Sequence, residues 1–162
     1  MSVNSELIFH FYDCFSRRDY AGMNACYAPN ARFNDPVFTL RGPAVRAMWH
    51  MLCEGSKDLQ LTYGDVVADE QSGRAHWEAN YTFSSTNRRV HNVIDAAFVL
   101  HNGQIVEHRD RFSFWRWSRQ ALGPSGLALG WTPLLRARVQ RTAQARLDRF
   151  IATHSEYQSM AG

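Results

Sequence analysis

Residues 89–112, RVHNVIDAAFVLHNGQIVEHRDRF, decide the fold of this 162-residue chain. Apolar and polar residues alternate on both sides of His101-Asn102-Gly103, a turn signal, so the segment predicts two antiparallel strands joined by a hairpin. The same alternation extends in both directions along the chain, and four consecutive strands with short turns indicate an antiparallel meander. We expect these strands over residues 59–67, 74–83, 89–100 and 104–117.

The part of the chain before this meander has the three- and four-residue spacing of amphipathic helices. We expect a first helix over residues 7–15 and a third helix that starts at Gly42-Pro43. Between them, Asp19 is placed to cap a short second helix, which ends before Pro29 because the residue preceding a proline avoids helical geometry. Alternation over residues 31–35 predicts one short strand ahead of the third helix. Helices gathered before an antiparallel sheet predict an α+β domain with the helices on one face.

The character of the chain changes near residue 120, and we divide it there into a pocket domain, residues 1–120, and a C-terminal segment, residues 121–162. The segment opens with a loop and an apolar linker, and Thr132-Pro133 predicts the start of an amphipathic helix that ends near residue 153. It holds five arginines against two acidic residues, whereas residues 1–119 carry 13 basic and 13 acidic residues. We favour packing of this basic helix on the body or at a dimer interface. Contact with a membrane surface comes second, and nucleic-acid binding third because no aromatic residues lie between the arginines.

Composition argues against several classes of protein. A content of 45% hydrophobic and 20% charged residues is typical of a globular domain, and no apolar run approaches the roughly 20 residues of a membrane span. Residues 1–19 lack the features of a secretory signal, so a cytoplasmic location is expected. Three cysteines without a close pair indicate reduced thiols. No phosphate-binding glycine loop and no short metal-ligand spacing is present, so we expect no cofactor and no metal. The neutral charge balance of residues 1–119 argues against a nucleic-acid partner.

Strand alternation also selects candidate site residues. In the strand over residues 89–100 one face carries His91 and Asp95, and the carboxylate of Asp95 lies among apolar neighbours, where it needs a partner or a proton. In the next strand His108, Asp110 and Phe112 share a face. We expect both faces to turn toward the helices, where these residues form a site or a structural hydrogen-bond network.

Two stretches carry a resemblance to a known family. Residues 19–37, DYAGMNACYAPNARFNDPV, place Asp35 directly before Pro-Val, and Ile94-Asp95 is followed by NGQIV at residues 102–106. Together they resemble the ketosteroid-isomerase-like and polyketide-cyclase-like (SnoaL-like) branch of the nuclear-transport-factor-2 superfamily, over about residues 5–117. The resemblance implies a cone-shaped fold, in which a curved antiparallel sheet packed against three N-terminal helices encloses an apolar pocket. It also implies a homodimer and a small hydrophobic ligand.

The resemblance also implies roles for single residues. In ketosteroid isomerases the first motif supplies the general base and the second a protonated aspartate that stabilises an enolate oxygen, roles that fall on Asp35 and Asp95 here. These isomerases also use a tyrosine on the first helix, but that position is Phe11, and Tyr12 is turned away from it by about 100°. This difference argues against steroid isomerisation. The cyclase-like branch carries its acid or base on the last strand, which makes His108 and Asp110 further catalytic candidates.

The resulting prediction is a pocket protein that performs isomerase-type or cyclase-type acid/base chemistry on a small hydrophobic carbonyl or epoxide substrate. Its predicted pocket wall is mostly aromatic: Phe11, Tyr12, Phe33, Trp49, His91 and Phe112. The alternative is a non-catalytic domain of the same fold that binds a hydrophobic ligand or serves assembly. Fold alone does not separate the two, because one fold hosts many functions.

Overall fold

The helical layer at the start of the chain has the predicted order in the computed structural model, which describes residues 1–158. Helix α1 spans Val3–Ser16, α2 spans Tyr20–Ala25 and α3 spans Pro43–Gly55. The Asp19 side chain accepts a hydrogen bond from the backbone N–H of Gly22 at 3.0 Å and caps α2. Gly42 has a φ of 64° directly before α3, a backbone conformation that favours glycine.

Strands within residues 1–158 form one curved, open sheet of six members. They are β1 Tyr27–Asn34, β2 Thr39–Arg41, β3 Gln60–Ala68, β4 Ser72–Phe83, β5 Arg88–His101 and β6 Gln104–Arg111. Their spatial order is β2-β1-β6-β5-β4-β3. Neighbouring strands run antiparallel except β1 and β6, which pair in parallel with Phe33 opposite His108. The predicted α+β cone is confirmed, and the parallel pair joins its N-terminal part to the end of the meander.

The chain after β6 differs from the prediction. The alternation predicts a strand as far as residue 117, but β6 ends at Arg111 and helix α4 spans Phe114–Leu122. Its start is capped by Ser113, whose side chain accepts a hydrogen bond from the Arg116 backbone N–H at 3.2 Å. The predicted loop and linker hold a further short helix, α5 Pro124–Leu129, which packs on α4. The domain boundary predicted at residue 120 therefore falls inside α4.

The last helix begins where the sequence predicts and packs on the body of its own chain. Helix α6 spans Pro133–Ala152, and Leu147 is fully buried where its second half lies on α3. In its first half the Gln140 side chain donates a hydrogen bond to the Pro36 backbone oxygen at 3.0 Å. All five arginines of α6 are exposed: Arg136, Arg138, Arg141, Arg146 and Arg149. Within residues 1–158, no helix is both long and apolar enough to cross a bilayer.

Candidate functional site

Asp95 and His91 lie on the outer face of the sheet, so the prediction that they point into the interior is wrong. The side chain of Asp95 is 79% exposed and pairs with His76 Nδ1 at 2.8 Å, while His91 Nε2 pairs with Glu78 Oε2 at 2.6 Å. The physical reason is the strict alternation of a strand, in which a shift by one residue exchanges the two faces. The larger apolar set of β5 occupies the buried face: Ile94, Ala96, Phe98 and Leu100.

His108 and Asp110 do face the interior, where both are buried. His108 Nε2 lies 2.9 Å from Asp110 Oδ1, and His108 Nδ1 lies 2.6 Å from the Tyr27 hydroxyl oxygen. These contacts form a chain of hydrogen bonds that ends in an indole N–H group on each side. Trp49 donates to the Tyr27 hydroxyl at 2.9 Å, and Trp77 donates to Asp110 Oδ1 at 3.3 Å. A buried carboxylate held in this way keeps a fixed place, because each partner satisfies a group that would be costly to leave unpaired.

The same chain of hydrogen bonds leaves polar atoms free inside the cone. Among the described residues, both hydrogen bonds of Asp110 go to Oδ1, and the buried hydroxyl of Tyr12 has no partner. Burial, with the negative charge of Asp110 adding to it, raises the pKa of the Tyr12 hydroxyl well above its usual range. Tyr12 therefore keeps its proton and offers an unused donor near the carboxylate of Asp110.

Asp35 lies at the end of β1, where the chain turns toward β2. Its Oδ1 accepts hydrogen bonds from the backbone N–H groups of Val37 at 2.7 Å and Phe38 at 2.6 Å. These bonds lower the pKa of the carboxyl, but burial outweighs them, and with a further contribution from the charge of Asp110 the pKa rises to about 6. A half-buried acid of this kind exchanges its proton near neutral pH. The resemblance implies that Asp35 and Asp95 act in one reaction, but Asp95 lies on the outer face of the sheet and the two acids are not brought together.

The interior that the sequence predicts to be an open pocket is filled by aromatic rings. The ring centre of Phe11 lies 5.1 Å from that of Tyr12, 5.6 Å from Trp49 and 5.7 Å from His108, and Phe33 lies 5.1 Å from His108. These predicted wall residues are instead parts of a close-packed core. A surface hollow of about 750 Å³ lies elsewhere, between the start of β5 and helices α4 and α5.

A partly buried patch lies beside the filled interior, and we name it the mouth and define it by Asp35, Val37, Tyr81, Phe112 and Val139. All five are only partly buried, and the four apolar or aromatic members pack against the cluster built by α4. Burial raises the pKa of Tyr81 to about 12, and the charge of the nearby Asp35 carboxylate adds to this shift. Val139 comes from the first half of α6, so this helix covers the mouth.

Three residues of this site escape the sequence prediction. Tyr27 fits the apolar stripe of the second helix in the sequence, but it begins β1 and bonds to His108. Trp77 and Tyr81 look like core residues on β4, and their polar atoms matter only because Asp110 and Trp117 approach from other elements. No local pattern signals these contacts. The presence of N–H and O–H groups on otherwise buried aromatic residues is the one hint that the sequence offers.

Comparison with known proteins gives one family match. The model of the SnoaL-like domain matches residues 8–108, and no curated protein matches. Among solved structures, an NTF2-like protein of unknown function from Burkholderia pseudomallei K96243 has a TM-score of 0.64 at 19% identity, covering 75% of this chain and 98% of its own. A putative SnoaL-like polyketide cyclase from Jannaschia sp. CCS1 has a TM-score of 0.66 at 15% identity, covering 75% and 93%. An LEH-like epoxide hydrolase from M. tuberculosis has a TM-score of 0.62 at 15% identity, covering 78% and 92%.

Proposed function

The chain belongs to the SnoaL-like domain family, and on that premise we propose that it is an acid/base enzyme acting on a small hydrophobic carbonyl compound. Asp35 is the group that moves the proton. The observation that carries this proposal is the half-buried carboxyl of Asp35, held by two backbone N–H groups at the mouth of the cone. A carboxyl with a pKa of about 6 can both take and return a proton near neutral pH, which general acid/base catalysis requires.

The buried chain of hydrogen bonds behind Asp35 supports this role. The fixed negative charge of Asp110 raises the proton affinity of Asp35, while its bonds to His108 and Trp77 keep that charge in place. In this division of roles Asp35 touches the substrate, and His108 and Asp110 act through Asp35 as positioning residues.

Access to Asp35 depends on helix α6. Its second half is anchored by the buried Leu147 and by Phe150, which packs on the core. Its first half crosses the mouth through Val139 and a hydrogen bond from Gln140 to the backbone of Pro36. A substrate therefore enters when the first half moves aside, and the return of the helix excludes water from the proton transfer.

A second function is favoured by the filled interior. Phe11, Phe33 and Trp49 leave the centre of the cone to the protein's own side chains, as in a domain that serves assembly or binds a ligand without turnover. One solved neighbour is an LEH-like epoxide hydrolase and another a putative polyketide cyclase, and these activities belong to those proteins. The two proposals differ in whether any compound exchanges a proton at Asp35.

The test uses carbon-bound protons as the readout. The protein is incubated in D₂O with a panel of hydrophobic cyclic ketones, and deuterium uptake next to the carbonyl is followed by mass spectrometry. We expect exchange above the buffer rate, a loss of at least about a hundredfold in Asp35→Asn, and a change of less than about twofold in the matched surface variant Asp95→Asn. Equal rates in wild type and Asp35→Asn would refute the role of Asp35. A wild-type rate equal to that of buffer would favour the non-catalytic domain.

A further inference from the structure

A second cluster of polar side chains lies where the end of α6 packs on α3, away from the mouth of the cone. It consists of His50, Glu54 and His154, and one ligand atom of each side chain lies within 4.8 Å of the other two. His50 and Glu54 are one helical turn apart on α3, with His50 Nε2 at 2.9 Å from Glu54 Oε1. His154 follows the last turn of α6, so the cluster joins two elements that are distant along the chain.

Both histidines have one ring nitrogen already engaged by the protein. His154 Nδ1 lies 2.7 Å from the backbone oxygen of Phe150, which can only accept, so Nδ1 carries the proton and Nε2 keeps a free lone pair. His50 Nδ1 lies 2.9 Å from the hydroxyl of Tyr157. The phenol oxygen of Tyr157 can accept a hydrogen bond, so it can serve as the partner of a protonated His50 Nδ1. Histidines that bind metals have this arrangement, with the second nitrogen donating to a protein oxygen.

The two imidazole rings are also held rigidly by aromatic neighbours. The ring of His50 stacks on Tyr20 with centres 3.5 Å apart, and the ring of His154 stacks on Phe150 with centres 3.8 Å apart. His50 is only 4% exposed, while the side chain of Glu54 is 56% exposed and leaves one side of the cluster open to water. Two fixed imidazoles and one carboxylate with an open side match the ligand set of zinc sites that keep one water.

We propose that His50 Nε2, Glu54 and His154 Nε2 bind a divalent cation of the zinc class, with water as the fourth ligand. When the cation binds, the single proton of neutral His50 moves from Nε2, where it is shared with Glu54, to Nδ1, from which it donates to the Tyr157 oxygen, and Nε2 is left free to bind the metal. Bound metal links the end of α6 to α3 and so fastens the anchored half of the helix that covers the mouth. The family match ends at residue 108, so this site lies partly outside the region that the family describes. The proposal rests on this cluster alone and does not depend on the proposed reaction.

The experiment measures metal binding directly. The purified chain is stripped with a chelator and titrated with Zn²⁺ and, separately, with Co²⁺, whose visible absorption reports tetrahedral nitrogen and oxygen ligands. We expect one metal ion per chain and a rise in Tm of about 5 to 10 °C when free Zn²⁺ is a hundred times the Kd. His154→Gln and Glu54→Gln should each lose both the stoichiometric binding and the Tm shift, because each removes one of three ligands. Both residues lie toward the surface, so these variants should keep the fold.

The matched control is His76→Gln, because His76 also lies beside two carboxylates, on the outer face of the sheet. It should bind metal as the wild type does. The proposal is overturned if the wild type binds no stoichiometric metal, if both ligand variants retain binding, or if binding is lost in His76→Gln instead.

Discussion

Replacing Asp35 by asparagine should stabilise the protein at pH 8 and have a much smaller effect in mild acid. The carboxyl has a folded-state pKa of about 6 against an ordinary value of 3.8, because burial disfavours its charged form. Above pH 6 the folded protein carries a charge that burial penalises, and this difference corresponds to about 3 kcal/mol of lost stability. Below about pH 4 both states hold the proton and the cost vanishes. The amide oxygen of asparagine can still accept the bonds from Val37 and Phe38, so the turn is kept.

The assay is urea unfolding of wild type and Asp35→Asn at a series of pH values between 4.5 and 8. The stability advantage of the variant should grow from about 1 kcal/mol at pH 4.5 to about 3 kcal/mol at pH 8, because at high pH only the wild type must bury a charged carboxylate on folding. Glu107→Gln is the control, since Glu107 is half exposed on β6 in a 3.7 Å pair with Arg32, and surface pairs of this kind contribute little. Parallel pH curves for wild type and Asp35→Asn would show that the folded protein does not raise the proton affinity of Asp35.

Three further changes test the packing described above, each by equilibrium unfolding. Leu147→Ala should lower the free energy of unfolding by about 2 to 5 kcal/mol because Leu147 is fully buried. Leu134 on the same helix is 82% exposed, so Leu134→Ala should stay within about 0.5 kcal/mol of wild type. Equal effects would show that α6 is not anchored through Leu147. Gly126→Ala should lower the free energy of unfolding by about 1 to 3 kcal/mol or more, because the added Cβ would overlap the backbone of α4. Gly55 has open space around it, so Gly55→Ala should be neutral or slightly stabilising. A neutral Gly126→Ala would contradict the close contact of α4 and α5. His108→Ala should cost about 3 to 5 kcal/mol because it leaves a buried carboxylate short of a partner, and a cost below about 1 kcal/mol would contradict the buried chain of hydrogen bonds.

Most of the fold could be predicted from the sequence because it rests on local periodicity. In helices α1, α3 and α6 the apolar residues repeat over more than one helical turn, and in the four strands of the meander they alternate over more than one pair of residues. The region after Arg111 shows where this fails. Phe114, Trp117 and Ala121 are buried at helical spacing, but the aromatic residues also suit a strand, and only the cap at Ser113 favours a helix.

The candidate site was predictable only where one face of a strand is clearly the polar one. On β6 the outer face carries Glu107, Arg109 and Arg111, so the inward direction of His108 and Asp110 follows from the sequence. On β5 both faces contain apolar residues, and the polar pair on one of them does not reveal that this face is solvated. Partners such as Tyr27 cannot be read from sequence at all, because parallel pairing of β1 with β6 is a tertiary contact.

That parallel pairing also determines the order in which the molecule can assemble. The bond between Tyr27 and His108 joins residues 81 positions apart, whereas the strands from β3 to β6 pair with their neighbours across short turns. At ribosomal rates of roughly 5 to 20 residues per second, β1 emerges about 4 to 16 seconds before its partner strand exists. During synthesis the apolar side of β1, with Phe33, has only the nascent helices to shelter it. Pairing of β1 with β6 is therefore a late, non-local step in completing the sheet. Mutations that weaken this pairing should slow folding more than they change the folded structure.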